Sequence, residues 1–121
     1  VISVHVHLTR ETDGMIDRSL LESVKSGAII INTSRANIVD ELALLDGLKC
    51  GRIGGVGLDV LSGEPDIQDH PLVEYSRANS YLIITLHCGG YSPDAVRVVC
   101  KRAAEKIFDV YVDGSFSREV C

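Results

Sequence analysis

Four side chains that can carry charge or protons stand just beyond three apolar runs. Arg35 follows AIIINT (28–33), Asp59 follows IGGVGL (53–58) with Glu64 five residues on, and His87 follows YLIITL (81–86). A guanidinium fork holds a carboxylate, and a histidine beside an acid gives and takes protons near neutral pH. Taken singly, Arg35 also reads as a surface ion-pair partner, Asp59 as a turn cap and His87 as a turn residue. Their recurrence at successive run ends is what points to acid/base chemistry on an anionic substrate.

For these residues to meet, the runs must lie side by side with their carboxyl ends at one edge. Ligands of open parallel sheets bind at that edge. The pattern of the chain supports this. Ile2–Val6 is a short β-branched run, and Ala28–Thr33, Ile53–Leu58 and Tyr81–Leu86 are continuous apolar runs, as in strands buried on both faces. Asp17 is placed to cap a helix from Arg18 to Lys25, with Leu20, Leu21 and Val24 on one face and Gly27 as its C′ stop. Asp40 is placed to cap a second helix with an apolar stripe of Leu42, Leu45 and Leu48, ended by Gly51. The glycines of IGGVGL imply close approach of neighbouring backbone. Residues 62–79, with Pro65 and Pro71, read as one long irregular stretch. Ser92-Pro93-Asp94 has the order of an N-cap, a proline at N1 and a first-turn acid, opening a helix that runs to Val112 before Asp113-Gly114. Short buried strands alternating with helices predict parallel βαβ units.

Composition sets the outer bounds. The 121 residues, 45% hydrophobic and 24% charged with net charge −5, suit one compact domain and exclude a disordered or collagen-like chain. The acidic balance argues against a nucleic-acid coat. No apolar run approaches the roughly 18 residues of a membrane span, and no signal segment opens the chain, so a cytoplasmic protein is expected. Cys50, Cys88, Cys100 and Cys121 lack C-x-x-C spacing and read as reduced thiols, with Cys50 and Cys100 serving packing. His5-x-His7 puts two imidazoles on one strand face without a nearby third ligand, so no metal is expected.

The same residues carry a family resemblance. ISVHVHLTRETDGMID (2–17), SVKSGAIIINTSRANIVDELALLDGL (23–48), GRIGGVGLDVLSGEP (51–65), HPL (70–72) and ITLHCGG (84–90) resemble the D-isomer-specific 2-hydroxyacid dehydrogenases, D-3-phosphoglycerate dehydrogenase among them. The resemblance spans essentially the whole chain. It implies an α/β fold: the C-terminal half of a Rossmann-like, doubly wound parallel sheet with about four strands and three or four helices. It further implies hydride transfer between NAD and a 2-hydroxy or 2-keto acid, with NADP left open. Arg35 would bind the substrate carboxylate and polarise its carbonyl, His87 would be the acid/base, and Glu64 would be the acid paired with it. Thr33, Ser34, Arg35, Asp59 and His87–Gly90 (His87, Cys88, Gly89, Gly90) would line the nicotinamide.

Three departures stand out. The family usually has Pro where His7 stands, Arg-Gly where this chain has Arg35-Ala36, and Thr-Pro-His where it has Thr85-Leu86-His87. Ala36 would be strained if its position needed a positive φ, and Leu86 removes a fixed φ just before the histidine. The sequence also contains no G-x-G-x-x-G and no ribose-holding acid beyond one. The expectation is therefore that residues 1–121 form a partial NAD-binding domain, lacking the half with the glycine-rich loop and the substrate domain, with weak NAD binding and negligible turnover alone. Two other readings stay open: a non-catalytic binding or regulatory module, and a complementing subunit of a split dehydrogenase. A half-fold would leave Ile2–Val6 and apolar helix faces unpartnered, which predicts a homo-oligomer.

Overall fold

The computed structural model describes residues 1–113. Its elements are β1 (Ile2–Val4), α1 (Arg18–Ser23), β2 (Ala28–Asn32), a 3-10 turn (Ala36–Ile38), α2 (Glu41–Lys49), β3 (Ile53–Leu58), α3 (Pro71–Ser76), β4 (Leu82–Ile84) and α4 (Pro93–Asp113). The four strands form one parallel sheet in the order β1-β2-β3-β4. This is the expected α/β architecture. The chain divides into two compact units, Val1–His87 and a second beginning at Cys88, and each is described by itself.

In the first unit, alternation along the strands sends Val4, Ile30, Asn32, Val56, Leu58 and Leu82 into the core. α2 packs on β3 and α3 on β4, with α1 beside α2. Within this unit the opposite sheet face is left partly uncovered among the described residues. Ile29 is 43% and Ile83 64% exposed there, and Gly55 and Gly57 lie between them in register.

Capping follows the sequence signals closely. Asp17 accepts from the Leu20 amide at 2.8 Å, and Asp40 accepts from the Ala43 amide at 2.9 Å. Asp40→Ala is expected to cost about 1 kcal/mol in chemical denaturation, the usual worth of such a cap. No loss of stability would refute that assignment. α2 ends as expected, with Gly51 at φ +75° just past the Cys50 cap.

Several expectations need correction. Leu42 is 65% exposed, so the buried stripe of α2 is Ala43, Leu44, Leu45 and Leu48. α1 stops two residues early because Val24 turns to extended backbone, and Gly27 (φ +80°) instead forms the turn that enters β2. A helix, α3, lies within the stretch read as irregular. Pro71 supplies its fixed φ at N1, and His70 accepts from the Leu72 amide. The outer strands are shorter than their apolar runs: β1 stops at Val4 and β4 at Ile84. Cys50 and Cys100 are exposed rather than packed, and Cys88 is exposed too. Cys121 and Gly114 lie outside the described residues.

The second unit contains α4. Ser92 caps it through the Ala95 amide at 3.2 Å, and the helix continues to Asp113. Its apolar residues Val99, Ile107, Phe108 and Tyr111 are exposed. No helix among the described residues is long and apolar enough to cross a membrane.

Candidate functional site

The sheet register brings the polar residues to one edge. Val4, Asn32, Leu58 and Ile84 are successive partners across β1, β2, β3 and β4, so His5, Thr33, Asp59 and Thr85 each stand one step beyond. Parallel strands lie about 4.8 Å apart, which places the loops after them within side-chain reach of their neighbours. The Asp59 amide donates to Asn32 O at 3.0 Å and the Thr85 amide to Leu58 O at 2.8 Å, continuing the ladder past the strands.

His87 and Glu64 meet directly. Nδ1 of His87 lies 2.6 Å from Oε2 of Glu64, while Oε1 of Glu64 accepts from the Leu61 amide at 2.6 Å. The second contact fixes the carboxylate in its own turn and aims the other oxygen at the ring. With Nδ1 engaged by Glu64, Nε2 is the nitrogen that can meet a substrate oxygen. The hydrogen bond from His87 holds the Glu64 carboxyl below its ordinary value, aided by the Leu61 amide and the imidazole charge and opposed by desolvation and by Asp59. A depressed carboxyl pKa adds stability that is present above the unfolded value and is lost as pH falls through the folded one.

Asp59 is 5% exposed, and its carboxylate accepts from the Thr85 hydroxyl. On the neighbouring loop, Asn32 organises the turn that carries Arg35. Its Nδ2 donates to Arg35 O at 2.8 Å, and its Oδ1 accepts from the Ser34 amide at 3.0 Å. Ser34 Oγ donates to Val6 O and ties the first loop to the second. Thr33 is exposed beside it.

The predicted residues are not all in contact. Arg35 is exposed, and its guanidinium donates to Ser34 O within its own loop at 2.7 Å. Cys88, Gly89 and Gly90 belong to the second unit. His5 bonds Ser3 through Nε2 at 2.7 Å. Among the described residues no group of three or more potential metal ligands occurs.

One departure from the family pattern finds a physical answer. Ala36 has no positive φ and opens the 3-10 turn, so a side chain is accommodated there without strain. His87 itself sits at φ +52°, the one non-glycine residue with positive φ among those described. That left-handed geometry comes directly after Leu86, and such conformations cluster at functional sites. Sequence reasoning missed the supporting roles of Asn32 and Thr85. The available signal was an amide ending an apolar run.

Comparison with known proteins gives a consistent result. The family model described as "D-isomer specific 2-hydroxyacid dehydrogenase, NAD binding domain" matches residues 1–89. A glycerate dehydrogenase of Methylorubrum extorquens is 39% identical over 114 residues, covering 94% of this chain and 35% of that protein. The structure of a D-2-hydroxyisocaproate dehydrogenase superposes with a TM-score of 0.87 at 28% identity, over 98% of this chain and 39% of that one. An NAD-dependent formate dehydrogenase from Staphylococcus aureus, in complex with NAD, gives a TM-score of 0.80 at 26% identity, over 97% and 34%. The chain thus spans about a third or less of the length of the curated relatives it matches.

Proposed function

Since the chain belongs to the D-isomer specific 2-hydroxyacid dehydrogenases, through their NAD binding domain, we propose that it supplies the nicotinamide end and the proton-transfer pair of such an enzyme. The observation that carries this reading is the 2.6 Å contact between His87 and Glu64 at the carboxyl edge of the sheet. The half of the nucleotide fold with a glycine-rich phosphate loop, and a substrate domain, would come from outside these 121 residues.

The residues present fit the nicotinamide end. Asp59 offers a buried carboxylate oriented by Thr85, an acceptor suited to the N–H groups of a carboxamide. Thr33, Ser34 and Arg35 stand on the adjoining loop. Cys88, Gly89 and Gly90 follow His87 in the chain and are assigned to the same lining by their motif alone. A bound nicotinamide would supply or accept the hydride. NAD is the expected partner, with NADP as the other dinucleotide the family implies.

The side chains divide the remaining work. Arg35 holds the carboxylate of a 2-keto acid by charge-assisted hydrogen bonds and draws electron density from the adjacent carbonyl. His87 donates a proton from Nε2 to the carbonyl oxygen on reduction and removes it from the hydroxyl on oxidation. Glu64 stabilises the imidazolium and fixes its tautomer through Nδ1. Folded sheets of this class are covered on both faces, so the partly uncovered surface at Ile29 and Ile83 supports contact with further chain or a second copy. A cytoplasmic setting fits the exposed thiols at Cys50 and Cys100.

A chimera tests the reading. Residues 1–113 would replace the matching segment of the Methylorubrum glycerate dehydrogenase. NADH-dependent reduction of a 2-keto acid is expected. A folded, NADH-binding chimera that reduces none would refute the proposal.

A further inference from the structure

Behind the His87–Glu64 pair lies a second histidine–glutamate contact that the chemistry above does not use. Nε2 of His70 is 3.1 Å from Oε2 of Glu41, and the two side chains are 15% and 12% exposed. Nδ1 of His70 accepts from the Leu72 amide at 3.2 Å, so the ring proton sits on Nε2 and donates to Glu41. The other oxygen of Glu41 accepts from the Ser62 amide at 3.0 Å. Ser62 is the neighbour of Leu61, whose amide holds Glu64.

The contacts therefore form one path. It runs from the first turn of α3 through His70 to Glu41 at the start of α2, and from there to the turn 61–64 and Glu64. Two adjacent amides of that turn are gripped by two different glutamates. Val60 and Leu61 are buried at 3% and 4%, which anchors one side of the turn, while Gly63 at φ +84° turns the chain back toward Glu64. A nearly buried carboxylate is costly unless its oxygens are engaged, and here both are.

We infer that Glu41, braced by His70, is a positioning residue for the proton-transfer pair: it holds the Ser62 amide and so fixes the turn from which Glu64 reaches His87. The inference rests on the reading of Glu64 and His87 as that pair. Without Glu41, the turn has one amide released and Glu64 samples orientations that miss the ring.

Positioning and simple charge make opposite predictions. A nearby carboxylate repels a second one, so deleting the Glu41 charge alone would lower the Glu64 titration midpoint. Loss of position would raise it, because Glu64 would lose its donors. The measurement is a carbon-NMR titration of the Glu64 carboxyl in the 121-residue chain, with amide exchange at Leu61 and Ser62 and a melting curve for each variant. His87→Gly is the reference, since glycine tolerates the left-handed backbone there and removes the ring.

Glu41→Ala is expected to raise the Glu64 midpoint by at least half the rise seen in His87→Gly. It should also speed Ser62 amide exchange on the order of tenfold, as the loss of one hydrogen bond implies. Glu41→Gln keeps an acceptor for Ser62 and should restore most of the protection and most of the depressed midpoint. If Glu41→Ala fails to melt cooperatively, His70→Asn decides. It keeps a capping side chain for α3 while freeing Glu41, and the same two shifts are expected in smaller measure.

A folded Glu41→Ala, or in its place His70→Asn, with Glu64 at or below its wild-type midpoint overturns the inference. A Glu41→Gln chain that shifts as far as Glu41→Ala overturns it too. If His87→Gly leaves Glu64 unmoved, the pair itself is refuted and the positioning role with it. If only the Glu41 and His70 variants are silent, the pair stands and the positioning role alone falls.

Discussion

In the chimera carrying residues 1–113, His87→Asn is expected to lower 2-keto acid reduction by about 10²–10⁴-fold, the usual contribution of a positioned acid/base. Asparagine suits the test for two reasons. It tolerates the positive φ of 52° at this position, and its amide can still donate toward Glu64. It cannot deliver a proton to a carbonyl oxygen or take one from a hydroxyl. NADH binding should survive, so the loss should appear in kcat rather than in cofactor affinity. A variant that retains wild-type turnover would remove His87 from the proposed chemistry. Arg35 belongs to the same experiment as a contrast. Its guanidinium rests on Ser34 O within its own loop and would move to a substrate carboxylate, so its loss should raise KM strongly.

Gly54→Ala is expected to destabilise the isolated chain by about 3 kcal/mol, the upper end of ordinary overpacking. A Cβ on Gly54 would stand 2.7 Å from Gly27 O and 3.0 Å from two further backbone atoms of Gly27. These are main-chain atoms of a turn already pinned by the Gly27 amide to Arg52 O at 2.8 Å, so no side chain can swing away. Gly57→Ala is the control. Its Cβ would meet only the side chain of Ile31 at 3.9 Å, an ordinary contact. Urea denaturation of both variants should therefore separate them by a clear margin. Equal midpoints would show that the turn before β2 yields easily and that glycine is not required by this approach.

The parts of the fold that the sequence made legible are those governed by local chemistry. Asp17, Asp40 and Ser92 cap helices because their short oxygens reach a nearby amide, and that signal needs no tertiary context. The runs 28–33 and 53–58 read as strands because few polar residues interrupt them, but burial on both faces is not met: Ile29 is 43% exposed, since the helices of this unit cover the other face. The glycines of β3 announced a close approach, and Gly54 against Gly27 is that approach.

What stayed hidden depended on partners distant in sequence. α3 escaped notice because PLVEYS is too short for a periodic pattern, and its cap is a histidine rather than a typical capping residue. Its ring is held by Glu41, 29 residues away. Leu42 fitted the apolar stripe by spacing, yet the face of α2 is chosen by where β3 lies, which turns Leu42 outward. The aliphatic or helical surroundings of Cys50 and Cys100 suggest packing, whereas both stand exposed. At the site, Arg35, Asp59, Glu64 and His87 were visible as strand-end residues. Their geometry was not: that Glu64 is aimed by the Leu61 amide, that Asp59 is bonded by Thr85, and that His87 takes a left-handed backbone are outcomes of the assembled sheet.

The central claim is that His87 and Glu64 form one hydrogen-bonded pair at this edge. Carbon-NMR titration of the Glu64 carboxyl in the isolated chain reads that pairing without any enzyme assay. A midpoint below the ordinary glutamate range, rising when His87 is replaced by glycine, is the predicted result. A carboxyl that titrates in the ordinary range and ignores the loss of the ring would contradict the account.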